Sequence, residues 1–324
     1  MAKVIKHKGI KRLILIILTY SIIQALISVG IINDYLQATI ATICINIILA
    51  VSLNLITGFT GQFSLGHAGF MSIGAYVCAL ITMQYPSTPG FVLGVFAGAI
   101  AAALVGIMVG LPTLRLRGDY LAIATLGMAE IIRIVFLNMK ITNGAAGLNG
   151  VPQFTNWPWL FVFTAGTILA ISNFLKSSHG RACISIREDE IASEAMGINT
   201  TKYKVAAFTI AAFFGGIAGA LYASYFYFLK PDLFGFAKSV DILVIVVFGG
   251  MGSISGSVLA AILLALISTY LQSFPEIRMI LYSAMLVVIM IFRPHGLMGS
   301  KEISLAAFER IGREGLKYAG FKRK

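Results

Sequence analysis

The polar residues able to do chemistry in this chain are few, and they gather in short stretches between long apolar runs. One stretch, GFTGQFSLGHAGF from Gly58 to Phe70, holds four glycines, Gln62, Ser64 and His67, and no charge. A second, FGGMGSISG from Phe248 to Gly256, sits likewise between two apolar runs. Glycine-rich polar backbone at membrane depth is tolerated only where it is buried in protein or lines a wet cavity. Broken segments in corresponding positions of two halves point to a transport pathway. Gly61, Gln62, Ser64, Gly66 and His67, with Gly250, Gly252, Ser253 and Ser255, are therefore candidates for a translocation pathway. A pair of ordinary turns at the cytoplasmic face is the alternative. His67 by itself fits a hydrogen-bonded structural residue better than a ligand.

Charges inside apolar runs are equally sparse. Glu130 and Arg133 lie three apart, so on a helix they share a face and can pair. Such an intramembrane ion pair is either structural or part of a pathway; Asp241 stands near the start of a later run. The longest charged loop, about 176–202, reads KSSHGRACISIREDEIASEAMGINTTK. Its acids Glu188, Asp189, Glu190 and Glu194 occupy a helix-compatible stretch ending at Gly197, a natural helix stop. Ile191, Ala192, Ala195 and Met196 interleave with them, which suits a short surface helix meeting a partner, or a solvated loop. Metal binding is not expected, since Cys44 and Cys78 lie in apolar runs and Cys183 in a basic loop, as small buried hydrophobes do. No H-E-x-x-H, paired-aspartate or serine–lysine pattern supports an intramembrane enzyme, and no G-x-x-x-x-G-K-[ST] supports an ATPase.

The elements that must position these residues are transmembrane helices. Of 324 residues 58% are hydrophobic and 12% charged, with a mean hydropathy of +0.89; a soluble domain carries about 25% charged residues. Apolar runs of about 20 residues, the length that crosses about 30 Å of hydrocarbon, recur throughout. Nothing alternates as a membrane barrel would. Punctuation divides the runs into ten spans: 12–32, 36–57, 68–84, 90–111, 119–138, 157–175, 203–229, 238–250, 255–273 and 276–292. The span 238–250 is short and, with its neighbour, reads also as one broken helix. All eight prolines fall at or just outside these edges, where a missing donor does least harm. In the fourth span Gly90, Gly94, Gly98, Ala102, Gly106 and Gly110 repeat every four positions, a stripe for close helix packing. The basic start (Lys3, Lys6, Lys8, Lys11, Arg12) and following apolar run are too long for a signal and read as a retained first helix.

Lysines and arginines set the orientation. With the N-terminus inside, twenty fall in cytoplasmic segments: five before residue 13, Arg115 and Arg117, five at 176–204, and eight from Arg293. Four fall outside, at Lys140, Lys230, Lys238 and Arg278. That bias obeys the positive-inside rule, and it explains the net charge of +12 without nucleic acid. Trp157, Trp159 and the Tyr222–Phe228 aromatics then lie near outer edges, as interfacial anchors do. The expected fold class is an all-α integral membrane protein: a polytopic helical bundle of about ten transmembrane helices, interrupted where the glycine breaks enter the membrane. Both termini are cytoplasmic. Residues 1–300 form a single transmembrane domain and 301–324 a basic cytoplasmic tail.

Five ordered motifs, at 54–76, 114–135, 141–152, 187–199 and 249–264, together resemble the permease subunits of high-affinity branched-chain amino-acid ABC importers. LRLRGDYLAIATLG followed by NGAAGLNG resembles the M-type subunit. The resemblance covers roughly 50–300. It implies alternating access in a bacterial inner membrane, beside a homologous second permease and membrane lipid. It also implies two cytoplasmic ATP-binding subunits and an extracytoplasmic substrate-binding protein. ATP and Mg²⁺ belong to the ATPase partners, with no cofactor on this chain. The segment 181–199 would be the cytoplasmic coupling helix, with Arg181, Arg187, Glu188, Glu190, Glu194, Ala195 and Gly197 as its residues. One departure is that Ile191 stands six before Gly197, where many importers have glutamate. Urea or short amides are alternative substrates, and a stand-alone secondary transporter is an alternative class.

Overall fold

The computed structural model describes residues 17–116, 118–270, 280, 284, 287, 296–299 and 302. Helix α1 covers Ile17–Ser28. Then follow α2 (Asp34–Asn54), α3 (His67–Gln84), α4 (Thr88–Thr113), α5 (Asp119–Asn138) and α6 (Trp157–Lys176). Two short helices, α7 (Ser178–Glu188) and α8 (Glu190–Ala195), lead to α9 (Thr200–Phe226), α10 (Phe236–Gly249) and α11 (Ile254–Tyr270). The chain is a polytopic helical membrane bundle. Among the described residues five helices are long and apolar enough to cross a bilayer: α2 with its extension to Phe59, α4, α5, α6 and α9.

The apolar runs and their helices agree to within a few residues, and 119–138 coincides with α5. Pro112 differs from expectation, because α4 continues through Thr113 and takes this proline into its last turn, where only one ladder bond is lost. The loop 176–202 contains two helices rather than one, because Asp189 leaves helical geometry (φ −156°) and its side chain accepts from Ala192 N at the start of α8. Span 276–292 apart from residues 280, 284 and 287, the basic N-terminal cluster, Arg117 and the tail 301–324 apart from Glu302 lie outside the described residues.

The centre of the bundle is a backbone-to-backbone contact of α3, α4 and α9. Gly74 of α3 lies directly on Gly216 of α9, and a methyl group at Gly219 would meet the Met71 carbonyl. The glycine stripe of α4 closes the third side: Gly94 faces Cys78, Gly98 faces Gly74, and Gly106 faces Ala212. In lipid, where apolar burial between helices supplies little drive, such close approach gains dispersion contacts and loses little side-chain freedom. Around this centre α2 packs against α9, α11, α10 and α6.

The two ends of the bundle are built differently. At one, the stitched end, β1 (Leu148–Asn149) pairs antiparallel with β2 (Phe228–Leu229), Leu148 opposite Leu229. Aromatic rings gather there: Trp157 lies 6.3 Å from Tyr20, Trp159 5.6 Å from Phe91, and Tyr222 4.8 Å from Phe226. At the other, the junction end, both glycine-rich breaks lie near α7 and α8, and the second meets residues 296–298 and Glu302.

Candidate functional site

The first break begins where α2 passes into a single π-helical segment, Leu55–Phe59. The chain turns at Gly61 (φ +73°), a conformation that favours glycine. It then runs without regular structure to Gly66, with Gln62, Ser64 and Gly66 buried and Gly61 and Phe63 exposed. Gly66 abuts the α5 backbone at Thr125, whose hydroxyl accepts from Leu65 N at 3.1 Å. His67 opens α3, fully buried, with Nε2 2.8 Å from Ser52 Oγ. Ser64 Oγ accepts from Gly66 N. Both ends of the buried Gln62 amide lack a partner among the described residues.

The second break, between α10 and α11, turns at Gly250 (φ +113°) and Gly252 (φ +90°). Gly249 and Gly256 lie in backbone contact, which brings the two helices together at the turn. Ser253 Oγ lies 3.2 Å from Ser255 Oγ and accepts from Gly256 N. Beyond the turn, Glu302 receives Ile254 N at 2.6 Å, Ser255 N at 3.2 Å and Ser255 Oγ at 2.9 Å. A carboxylate is well placed there, since the first amides of α11 have no intrahelical acceptor and the helix dipole favours negative charge.

Asn54 joins the two breaks. Its Nδ2 donates to Ser253 O at 2.9 Å and Ser257 Oγ at 2.8 Å, and its Oδ1 accepts from Gly252 N at 2.9 Å. Gly58 lies so close to Gly252 N and Asn54 Oδ1 that no side chain fits there. Residues almost 200 positions apart thus form one buried, neutral, hydrogen-bonded junction.

Helix α7 buries Gly180, Cys183 and Ile186, with Gly180 on the end of α6 at Phe174 and Leu175 and Cys183 beside Tyr203 of α9. Burial pushes the Cys183 thiol up to about 11, so it is a protonated, inert group at neutral pH. Arg181 turns back to Lys176 O at 2.9 Å. Arg187 points inward, with Nη1 donating to Gly58 O at 2.8 Å while Nε and Nη2 engage Glu188. Glu190 pairs with the nearly buried Lys204 Nζ at 2.6 Å, and Glu194 accepts from Thr200 Oγ1 at 3.1 Å. Gly197 (φ +83°) ends α8: Ile198 N reaches Ser193 O and Gly197 N reaches Glu194 O, the six-to-one and five-to-two bonds of a Schellman stop. Ala195 is exposed, and the large residues turned outward are Ile191, 70% exposed, and Met196, 82% exposed.

The chain matches the family described as branched-chain amino acid transport system / permease component over residues 35–290. It belongs to this permease family. It is 37% identical over 289 residues to the high-affinity branched-chain amino acid transport system permease protein LivM of Salmonella typhimurium, spanning 78% of this chain and 68% of that protein. Identity to LivM of Escherichia coli K12 is 38% over the same shares. Against the permease protein LivH of Escherichia coli K12 it is 25%, over 79% of this chain and 92% of that one. The chain is thus an M-type permease. No solved structure matches it. The family is a transport subunit, not an ATPase.

In this permease the pair Glu130 and Arg133 lies far from the junction, toward the stitched end. Arg133 Nε donates to Glu130 at 2.7 Å, and Nη1 reaches Asp232 at 3.3 Å, with Lys230 3.3 Å from the same aspartate. The structure therefore brings both breaks and α7–α8 together and leaves the ion pair apart. Asn54, Lys204, Asp232 and Glu302 escape a sequence reading. Asn54 alone carried a signal, an amide in an apolar run just before the first break.

Proposed function

We propose that this chain is one of two homologous permease subunits of an ATP-binding-cassette importer for branched-chain amino acids such as leucine, isoleucine or valine. One of the two ATPases docks at the junction end of this chain, on α7–α8, which faces the cytoplasm together with both termini. A substrate-binding protein delivers its ligand at the stitched end. Membrane lipid and the second permease cover α4, α5 and α6, whose apolar windows are only 39, 22 and 28% buried within the chain. The two glycine-rich breaks form the cytoplasmic gate of the pathway, contributed by Gln62, Ser64 and His67 from one and Ser253 and Ser255 from the other. Residues 1–300 act as one permease unit.

The observation that carries the reading is the α8 surface, set on the same end as both breaks. Its acids hold α8 to α9, leaving Ile191 and Met196 as the outward apolar pair. Apolar anchors ringed by polar groups are what a docking groove takes up. Substituting both residues by glutamate in the reconstituted complex should lower substrate-stimulated ATP hydrolysis at least tenfold. Unaltered hydrolysis would place the ATPase elsewhere. Glu190 is a poorer target, since reversing its charge also breaks the Lys204 pair. Co-purification of the tagged chain with a second permease and two ATPases tests the assembly directly. Uptake without ATP by this chain alone would favour a secondary transporter.

A further inference from the structure

Resting on the importer reading, we propose that Arg187 is the positioning residue through which displacement of α7–α8 reaches both glycine-rich breaks. Its side chain is only 30% exposed, whereas Ile191 and Met196 beyond it are 70% and 82% exposed. Nη1 lies on Gly58 O in the π-helical end of a helix running from Asp34 to Phe59. A cation is favoured there, because the last carbonyls of a helix lack intrahelical donors and carry the negative end of its dipole.

The space the Arg187 side chain occupies exists only because two residues, Gly61 and Gly252, have no side chain. A methyl group at Gly61 would sit 3.0 Å from Arg187 Cγ, and one at Gly252 would sit 2.8 Å from Nη1. Gly58 is closed to any side chain by Gly252 N. One arginine thus contacts a residue of the first break, the carbonyl preceding it, and a residue of the second. Glu188 takes the other edge of the planar fork, so a shift of α7 is transmitted as a rotation of a rigid group rather than absorbed by a flexible stem. Next to the fork is a cavity of about 280 Å³, lined by Gln62, Phe63, Leu121, Arg187 and Lys204 among others. It gives the fork room to move, beside an amide whose two ends are still unpartnered.

A merely structural arginine and a transmitting one differ in what their loss does to coupling. In proteoliposomes holding the whole complex and its binding protein, Arg187→Ala should retain substrate-stimulated ATP hydrolysis. Uptake per ATP hydrolysed should fall at least fivefold. Arg187→Lys should fall between the two, since it keeps the charge at Gly58 but loses the fork. Glu188→Gln, which loosens the fork without touching the junction, should lower the ratio about twofold and serves if the alanine variant fails to assemble. The ratio is independent of yield. Equal uptake per ATP in the parent and every assembled variant overturns the proposal. ATP-independent uptake by the parent instead overturns the importer reading and is seen before any variant is made.

Discussion

The two ends of this bundle are fastened by opposite means. At the stitched end four charges, Glu130, Arg133, Asp232 and Lys230, link α5 to the turn before α10, with 25–56% of each side chain exposed. At the junction end Asn54, Ser253 and Ser257 are fully buried and uncharged, and each has its partner. Exposed ion pairs contribute about 0–1 kcal/mol and are screened by salt. A buried amide with three hydrogen bonds contributes little net when intact, yet leaves costly orphans when removed. The stitched end is tolerant and adjustable, whereas the junction end admits one geometry until something pulls on it.

Asn54→Leu is the sharpest way to break the contrast. It orphans Gly252 N–H and removes a donor from Ser253 O, and should lower stability by about 3 kcal/mol, read as a drop in melting temperature in detergent. Gly219→Ala probes the glycine centre between the two ends. Its methyl would press on the Met71 carbonyl, and overpacking of this kind costs about 1–3 kcal/mol. Asp232→Asn should cost under about 1 kcal/mol, and the difference from the parent should shrink at high salt. Were Asp232→Asn to cost as much as Asn54→Leu, the division between the two ends would be wrong.

Most of the fold was legible because lipid allows few alternatives: apolar runs of sufficient length become helices, and proline and glycine mark where they stop. The position of each break and the stop at Gly197 were visible for the same reason. What joins the breaks was not visible, since nothing local in NLITGF says that Asn54 will meet Gly252. Arg187 showed its charge but not its direction, because the sides of a short amphipathic helix are told apart only by what they pack against. Glu190 and Glu194 were legible as acids of a short helix, but not that they bond Lys204 and Thr200 of α9. Asp232 was hidden by lying 99 residues from the arginine it joins.

The Asn54 clamp has a consequence for synthesis. Its three hydrogen-bond partners lie 198, 199 and 203 residues further along the chain. The carboxylate that caps α11 follows Ile254 by another 48. Translation at about 5–20 residues per second leaves this asparagine in the membrane for about 10–40 s before its partners exist. During that interval the helices already made must shelter a bare amide from lipid.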